Sequence, residues 1–355
     1  MRKRWALLAV VVVAAGVTWK VARPGHAGAG ARPVQPHVAH GRCTYGPAPE
    51  PPTLYPFPTI PAVPEGWPLP SCDPPGPTNT GVPAGTTLTA LDADHVPVGA
   101  TWDGIALYVH QDGATIEGYD IPGAVVIQAS DVTLRDDRVT VTEDRFPTAD
   151  GAVILVDYNH PGASGIVEDT EASGSNGKAC GVVIGFSDFL LLRDNFHSCG
   201  DIVHPNGYNL IQDSWLHDTP DATGDDHNDA LQITGGGDQH SSVNVTILHN
   251  KLENQEGEVS AIGLGPDQGD IRNVLIYGNI LNGGGYSLYG GGASHGHHTT
   301  NTRIIDNRWM RLPQPGAYFA KGGASGPVAA DDPDTLQGNV WDDTGQPAFP
   351  DHRGS

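Results

Sequence analysis

Seven times along this chain a short aliphatic run ends in a polar corner. The segments read VTLRDD (132–137), GIVEDT (165–170), LLLRDN (190–195), NLIQDS (209–214), VTILHN (245–250), VLIYGN (274–279) and TRIIDN (302–307). They recur at intervals of roughly 20 to 35 residues, the mark of stacked supersecondary units. A second series of apolar runs interleaves with the first: AVVIQ (124–128), AVILV (152–156), GVVIG (181–185), DALQI (229–233), VSAIGL (259–264), YSLYG (286–290) and AYFAK (317–321). No stretch carries helical periodicity, so each unit predicts at least two strands joined by Gly- or Asn-containing turns. One such coil cannot bury its apolar side chains alone, whereas stacked coils bury them in one column. The pattern predicts an all-β solenoid, a right-handed parallel β-helix, over residues 81–343. GVPAGTTLT (81–89) reads as its first strand, at the blunt end, and 344–355 as a tail.

The ends of the chain change the picture. Arg2, Lys3 and Arg4 precede an apolar run from Trp5 to Thr18, which reads as a signal peptide or signal anchor within residues 1–30. Residues 31–80 hold half of the 30 prolines. Proline supplies no ladder donor, so this stretch predicts either a linker or an extended arm lying on the solenoid. Export permits disulfides. Cys180 and Cys199 are 19 residues apart, one coil, and so stack within bonding reach, which leaves Cys43 with Cys72. The formal net charge of −22 excludes a nucleic-acid partner, because phosphate contacts need clustered Lys and Arg. The expected product is a secreted monomer, with membrane contact only through the N-terminal segment.

Candidate chemistry gathers in the middle coils. Asp225, Asp226, His227 and Asp229 fall within five positions at the start of the strand DALQI. Crowded carboxylates raise one another's pKa and prepare one to act as an acid near neutrality, and a neighbouring His can act as base. These four are the candidate catalytic residues. Turn formation by Asp and Asn side chains is the bland alternative. Ca2+ binding by the same oxygens is another; otherwise no metal or cofactor is required. His204, His217, His227 and His249 fall on successive coils or their turns and could align as a ridge. Trp215, Tyr289, His217, His297 and Lys321 are candidate substrate-binding residues, the aromatic rings for stacking on sugar faces and the lysine for a substrate carboxylate.

The segments DSWLHD (213–218), NDALQI (228–233), VTILHNKL (245–252) and AIGLG (261–265) resemble the pectate lyase-like superfamily of secreted β-helix proteins. The resemblance implies a polysaccharide substrate held in a groove along the solenoid. The chain departs from the pectate lyase pattern at Glu256-Gly257-Glu258, where a lysine is expected, and at Arg311-Leu312-Pro313-Gln314, where one arginine is missing. Arginine-based β-elimination is therefore unsupported. The expectation is a polysaccharide-cleaving enzyme, hydrolase or lyase, with a non-catalytic glycan-binding or structural β-helix as its rival.

Overall fold

The computed structural model describes residue 71 and residues 73–141, 151–174, 180–220, 228–236, 242–254, 259–310, 328–329, 335–348 and 352–353. Asp225, Asp226, His227, Lys321, Cys43 and Cys72 lie outside these residues. No α-helix occurs among them. The chain winds as a parallel β-helix, each rung contributing three strands to three long sheets.

Sheet 1 runs from Ala100–Trp102 through Ala106–Val109, Ala124–Ile127, Ala152–Val156, Val182–Gly185, Asp201–His204, Asp229–Ile233, Ser260–Leu264 and Leu288–Tyr289 to Val328–Ala329. Sheet 2 includes Val132–Arg135, Ser164–Glu168, Asp188–Leu192, Asn209–Gln212, Ser242–Leu248, Ile271–Tyr277 and His297–Ile305. Sheet 3 includes Arg138–Val141, Glu171–Gly174, Asn195–His197, Trp215–His217, Lys251–Asn254 and Ile280–Gly283. Among the described residues the rungs pair in parallel, while the end strands Ala100–Trp102 and His352–Arg353 and the short strand Ala293–Ser294 pair antiparallel.

Three inner columns fill the core. Ile154, Ile184, Val203, Leu231 and Ile262 stack in sheet 1. Leu134, Val167, Leu191, Ile211, Ile247 and Ile276 stack in sheet 2. Val139, Ala172, Phe196, Leu216, Leu252 and Leu281 stack in sheet 3. All of these are buried. Same-face residues in register across parallel strands are what lets short strands build one continuous core.

Among the described residues, except at the first rung, where Gly118 alone separates the strands, the polar corners join sheet 2 to sheet 3 in two residues. The first adopts left-handed backbone, with φ of 51° to 57° at Asp136, Asp169, Arg193, Asp213, His249 and Asp306 and positive φ at Gly118, Gly278 and Gly338. Asp, Asn and Gly tolerate that region best. The second points inward and joins a ladder of hydrogen bonds. Asn250 N–H donates to Asn279 Oδ1 at 2.8 Å, Asn279 N–H to Asn307 Oδ1 at 2.9 Å and Asn307 N–H to Asn339 Oδ1 at 3.0 Å. Each amide Nδ2 also donates to a strand carbonyl, as Asn279 does to Ile247. Toward the N-terminus Ser214, Asp194, Thr170 and Asp137 continue the ladder. This sets the register of LLLRDN one residue earlier than the repeat suggests: Asp194, not Asn195, is the corner residue, because Asp194 accepts from Thr170 N–H at 3.0 Å while Asn195 opens a sheet 3 strand.

Of residues 81–89 only Thr89 enters the first strand, Thr89–Ala90, which lies at the end of sheet 3. Gly81 N–H donates to the Arg193 carbonyl at 2.8 Å, well inside the stack, and pairing begins only at Thr89–Ala90, opposite Tyr119 and Asp120. The chain here runs along the corner edge before it enters the solenoid. Cys180 and Cys199 form a disulfide with Cα atoms 5.1 Å apart, between successive rungs.

Candidate active site

Asp201 and Asp229 open consecutive strands of sheet 1. The Asp229 N–H donates to Asp201 Oδ1 at 2.7 Å, and Asp201 Oδ2 lies 2.8 Å from His204 Nε2. Asp201 and His204 bracket one four-residue strand, so the pair is made within a rung. The Asp229 carboxyl accepts from the Ser260 hydroxyl on the next rung and from Gln232 Nε2 at 3.1 Å.

Gly263 explains where that carboxyl goes. It pairs with Gln232 and Tyr289 and alternates with the core residues Ile262 and Leu264, so a side chain there would point outward. A Cβ at Gly263 would meet Asp229 Oδ2 at 2.9 Å. The glycine thus leaves the hollow on the outer face of sheet 1 that Asp229 fills. Burial pushes the Asp229 pKa up to about 8, and the negative charge of Asp201 adds to the effect against the hydrogen bonds from Ser260 and Gln232. At neutral pH this group holds its proton.

Aromatic rings flank the carboxyls along the axis. Tyr286 and Tyr289 meet edge to face at 5.2 Å on one side, with the Tyr289 phenol raised first by burial and then by Tyr286 and Asp229. On the other side Phe186 packs against His204 at 5.3 Å, with Tyr158 edge-on to Phe186 at 6.4 Å. Among the described residues no strand of sheet 1 contains Lys or Arg. A carboxyl that can give a proton, a second carboxylate beside it and rings on either flank suit acid-assisted chemistry on a sugar chain.

Of the candidate residues, Asp229 and Tyr289 share this surface. Trp215 and His217 do not: they belong to sheet 3, whose outer face carries its own network. Trp215 stacks on His217 at 3.6 Å, His217 on His197 at 5.0 Å, and Trp215 Nε1–H donates to Glu253 Oε2 at 2.7 Å. Lys251 Nζ pairs with Glu253 at 3.0 Å and lies 5.3 Å from the centre of the Trp215 ring. Burial lowers the His217 pKa to about 4 despite the adjacent Asp218. These rings are occupied by one another rather than offered to a ligand. His297 lies on sheet 2, on an exposed hairpin 3.8 Å from Asp270. Among the described residues the histidine ridge does not form, and its fourth member, His227, lies outside them. His204, His217 and His249 fall on sheet 1, sheet 3 and a corner, because the loops between strands differ in length from rung to rung. Among the described residues no three His, Cys, Asp or Glu side chains gather to hold a metal.

Asp201, Gln232, Ser260 and Gly263 escape the sequence reading. The available signal was the alignment of DIVH with DALQI as successive strands opening on Asp. No family model, no curated protein and no solved structure matches this chain.

Proposed function

We propose that this protein is an exported polysaccharide-cleaving enzyme of the pectate lyase-like kind, acting as a glycoside hydrolase on the outer face of sheet 1. The observation that carries the reading is the pairing of Asp229, held protonated near neutrality, with the Asp201–His204 carboxylate on the adjacent strand. Asp229 would protonate the departing glycosidic oxygen, and Asp201 would assist water or stabilise the developing positive charge. Hydrolysis is favoured over elimination because a protonated carboxyl beside a second carboxylate is the pair that glycoside hydrolysis uses. The Cys180–Cys199 disulfide is compatible with an extracellular location.

The rival reading is a glycan-binding or structural β-helix, and one observation supports it: Asp229 is only 1% exposed. Under that reading the carboxyl is an inter-rung clip. A panel of neutral, amino-sugar and uronate polysaccharides separates the two, read both by new reducing ends and by absorbance of unsaturated uronates. We expect reducing ends without unsaturated uronates, and a loss of about 10²-fold or more with Asp229→Asn. Full rate in that variant removes Asp229 from the mechanism. Binding without cleavage of any polymer establishes the rival.

A further inference from the structure

The outer face of sheet 2 is apolar over the middle rungs. Leu190 and Leu210 stack in one outward column, Leu248 and Tyr277 in the other, and Leu275 joins them in a cluster separate from the core. These positions alternate with the inner column of Leu191, Ile211, Ile247 and Ile276, so they point away from the core. Yet Leu210 is 0% exposed, Leu248 2% and Leu275 2%. The polar residues among them, Gln212 and Thr246, are buried as well. On earlier rungs the equivalent positions Thr133, Arg135, Ile166 and Glu168 are partly exposed. This burial is confined to the middle of the solenoid.

The N-terminal chain arrives at that place. Going backward from Gly81 at Arg193, it turns at Gly76–Thr80 and reaches Ser71, whose N–H donates to both carboxylate oxygens of Asp213 at 3.1 Å. Asp213 is the corner residue beside Gln212, buried at an outer corner, and it also pairs with His249 Nδ1 at 2.6 Å. The chain preceding Ser71 therefore starts at the edge of the covered face.

Its composition fits the face. Residues 54–70 read LYPFPTIPAVPEGWPLP. Leu54, Tyr55, Phe57, Ile60, Val63 and Trp67 alternate with prolines that lack a backbone donor. Such a segment is a poor strand but a good extended cover, rising about 3.1 Å per residue. Three rung spacings of about 4.8 Å need only five or so of those residues. A sheet face, unlike a sheet edge, asks for side-chain burial and not for ladder bonds.

We infer that the outer face of sheet 2 between Leu190 and Tyr277 is the seat of the proline-rich segment 54–70 of the same chain. The segment fastens the exported N-terminus to the middle of the solenoid, on a sheet other than the one carrying Asp229.

The test keeps the whole chain. A site-specific protease sequence is inserted between Pro77 and Thr78, both exposed. Cys43 and Cys72 then lie on the same side of the cut, so no disulfide between them can hold the pieces together. After nicking, the N-terminal piece is expected to co-elute with the solenoid in size-exclusion chromatography, and to separate when Leu248→Asp is added. Far-UV circular dichroism of each nicked protein reports whether the β-helix persists. Separation of the unsubstituted pieces with the β-sheet signal intact overturns the inference. So does retention of the piece by the folded Leu248→Asp protein. Should that variant not fold, hydrogen exchange on the intact wild-type chain decides: amide or side-chain footprinting protection of Leu54, Tyr55, Phe57 and Trp67 supports the seat, and solvent-like labelling there overturns it. A mass twice that of the chain, lost on dilution together with protection of Leu210 and Leu248, makes a second copy the occupant and overturns it too.

Discussion

Two acids sit where the ladder elsewhere has asparagine. Asp137 accepts from Tyr119 N–H at 2.7 Å and Arg135 N–H at 3.1 Å; Asp194 accepts from Thr170 N–H at 3.0 Å and Leu192 N–H at 3.1 Å. Both are 0% exposed. Burial outweighs these hydrogen bonds, pushing Asp137 up to about 8 and Asp194 well above its ordinary value. Folding at neutral pH must therefore take up a proton at Asp137, and Asp194 is shifted in the same direction. An amide needs none, and the rungs at 250, 279 and 307 carry one at this position, although at 137 its Nδ2 would give up the bond that Asp137 Oδ2 accepts from Arg135 N–H. Asp137→Asn is expected to stabilise the protein at pH 7.5 by about 1 to 3 kcal/mol and by less at pH 5. Urea denaturation at the two pH values checks it. Removing an amide acts the other way. Asn279→Ala strips the partner from Asn250 N–H and abandons two carbonyls, a loss of about 2 to 4 kcal/mol that the same denaturation would read. Gly263→Ala tests the hollow beneath Asp229. The displaced carboxyl would lose its place next to Gln232 and Ser260, so any polysaccharide-cleaving rate should fall with Asp229→Asn, whereas a drop in midpoint alone would mark a purely structural contact.

A rung is held to the next by ladders, and in one place by a covalent link. Cys180–Cys199 closes a loop of 19 residues, for which the chain-entropy argument gives about 3 kcal/mol. The double substitution Cys180→Ser with Cys199→Ser is expected to lower the denaturation free energy by about 2 to 4 kcal/mol, measured against the oxidised protein. That pairing, the strands and the core columns were legible in the sequence because they follow from repeat spacing and alternation alone. So was the importance of the polar corners. The third strand of each rung was not, since NFH or WLH is too short to show a period. The site was legible only in part. Asp229 stood out by crowding in sequence, but its partners Asp201 and Ser260 are 28 and 31 residues away and meet it only through rung stacking. Trp215 and His217 looked near Asp229 for the opposite reason: closeness along the chain says nothing about which of three faces a strand joins.

Across the whole molecule the titrating groups oppose one another. Asp137, Asp194 and Asp229 have raised pKa values, so the folded state binds protons that the unfolded state releases. For Asp137 and Asp229 this stabilisation is complete below the ordinary carboxyl pKa of 3.8 and is lost as pH rises toward about 8, at up to about 1.4 kcal/mol per pH unit for each, and Asp194 acts in the same direction. Glu171, Glu253 and Asp270 are lowered, through His197 for the first, through Trp215 and Lys251 against burial for the second, and through His298 N–H and Arg272 for the third. Their contribution is present at neutral pH and disappears only as pH falls below the usual carboxylate range. The net charge of −22 adds repulsion that acid relieves. The melting temperature should therefore peak in mildly acidic buffer and decline steadily from pH 5 to pH 8. A flat profile over that interval would mean that the three acids are ionised in the native state.

Beyond the first rung each described turn of the coil negotiates one bend in the same two steps, while the connections that enter and leave sheet 1 vary from two residues to more than ten. The invariant bend works as an indexing mark from which every winding restarts, so a lengthened excursion elsewhere is not passed on to its neighbours. New segments spliced beside sheet 1 should leave the stack undisturbed, which makes that flank the place where such a scaffold can be given a different grip.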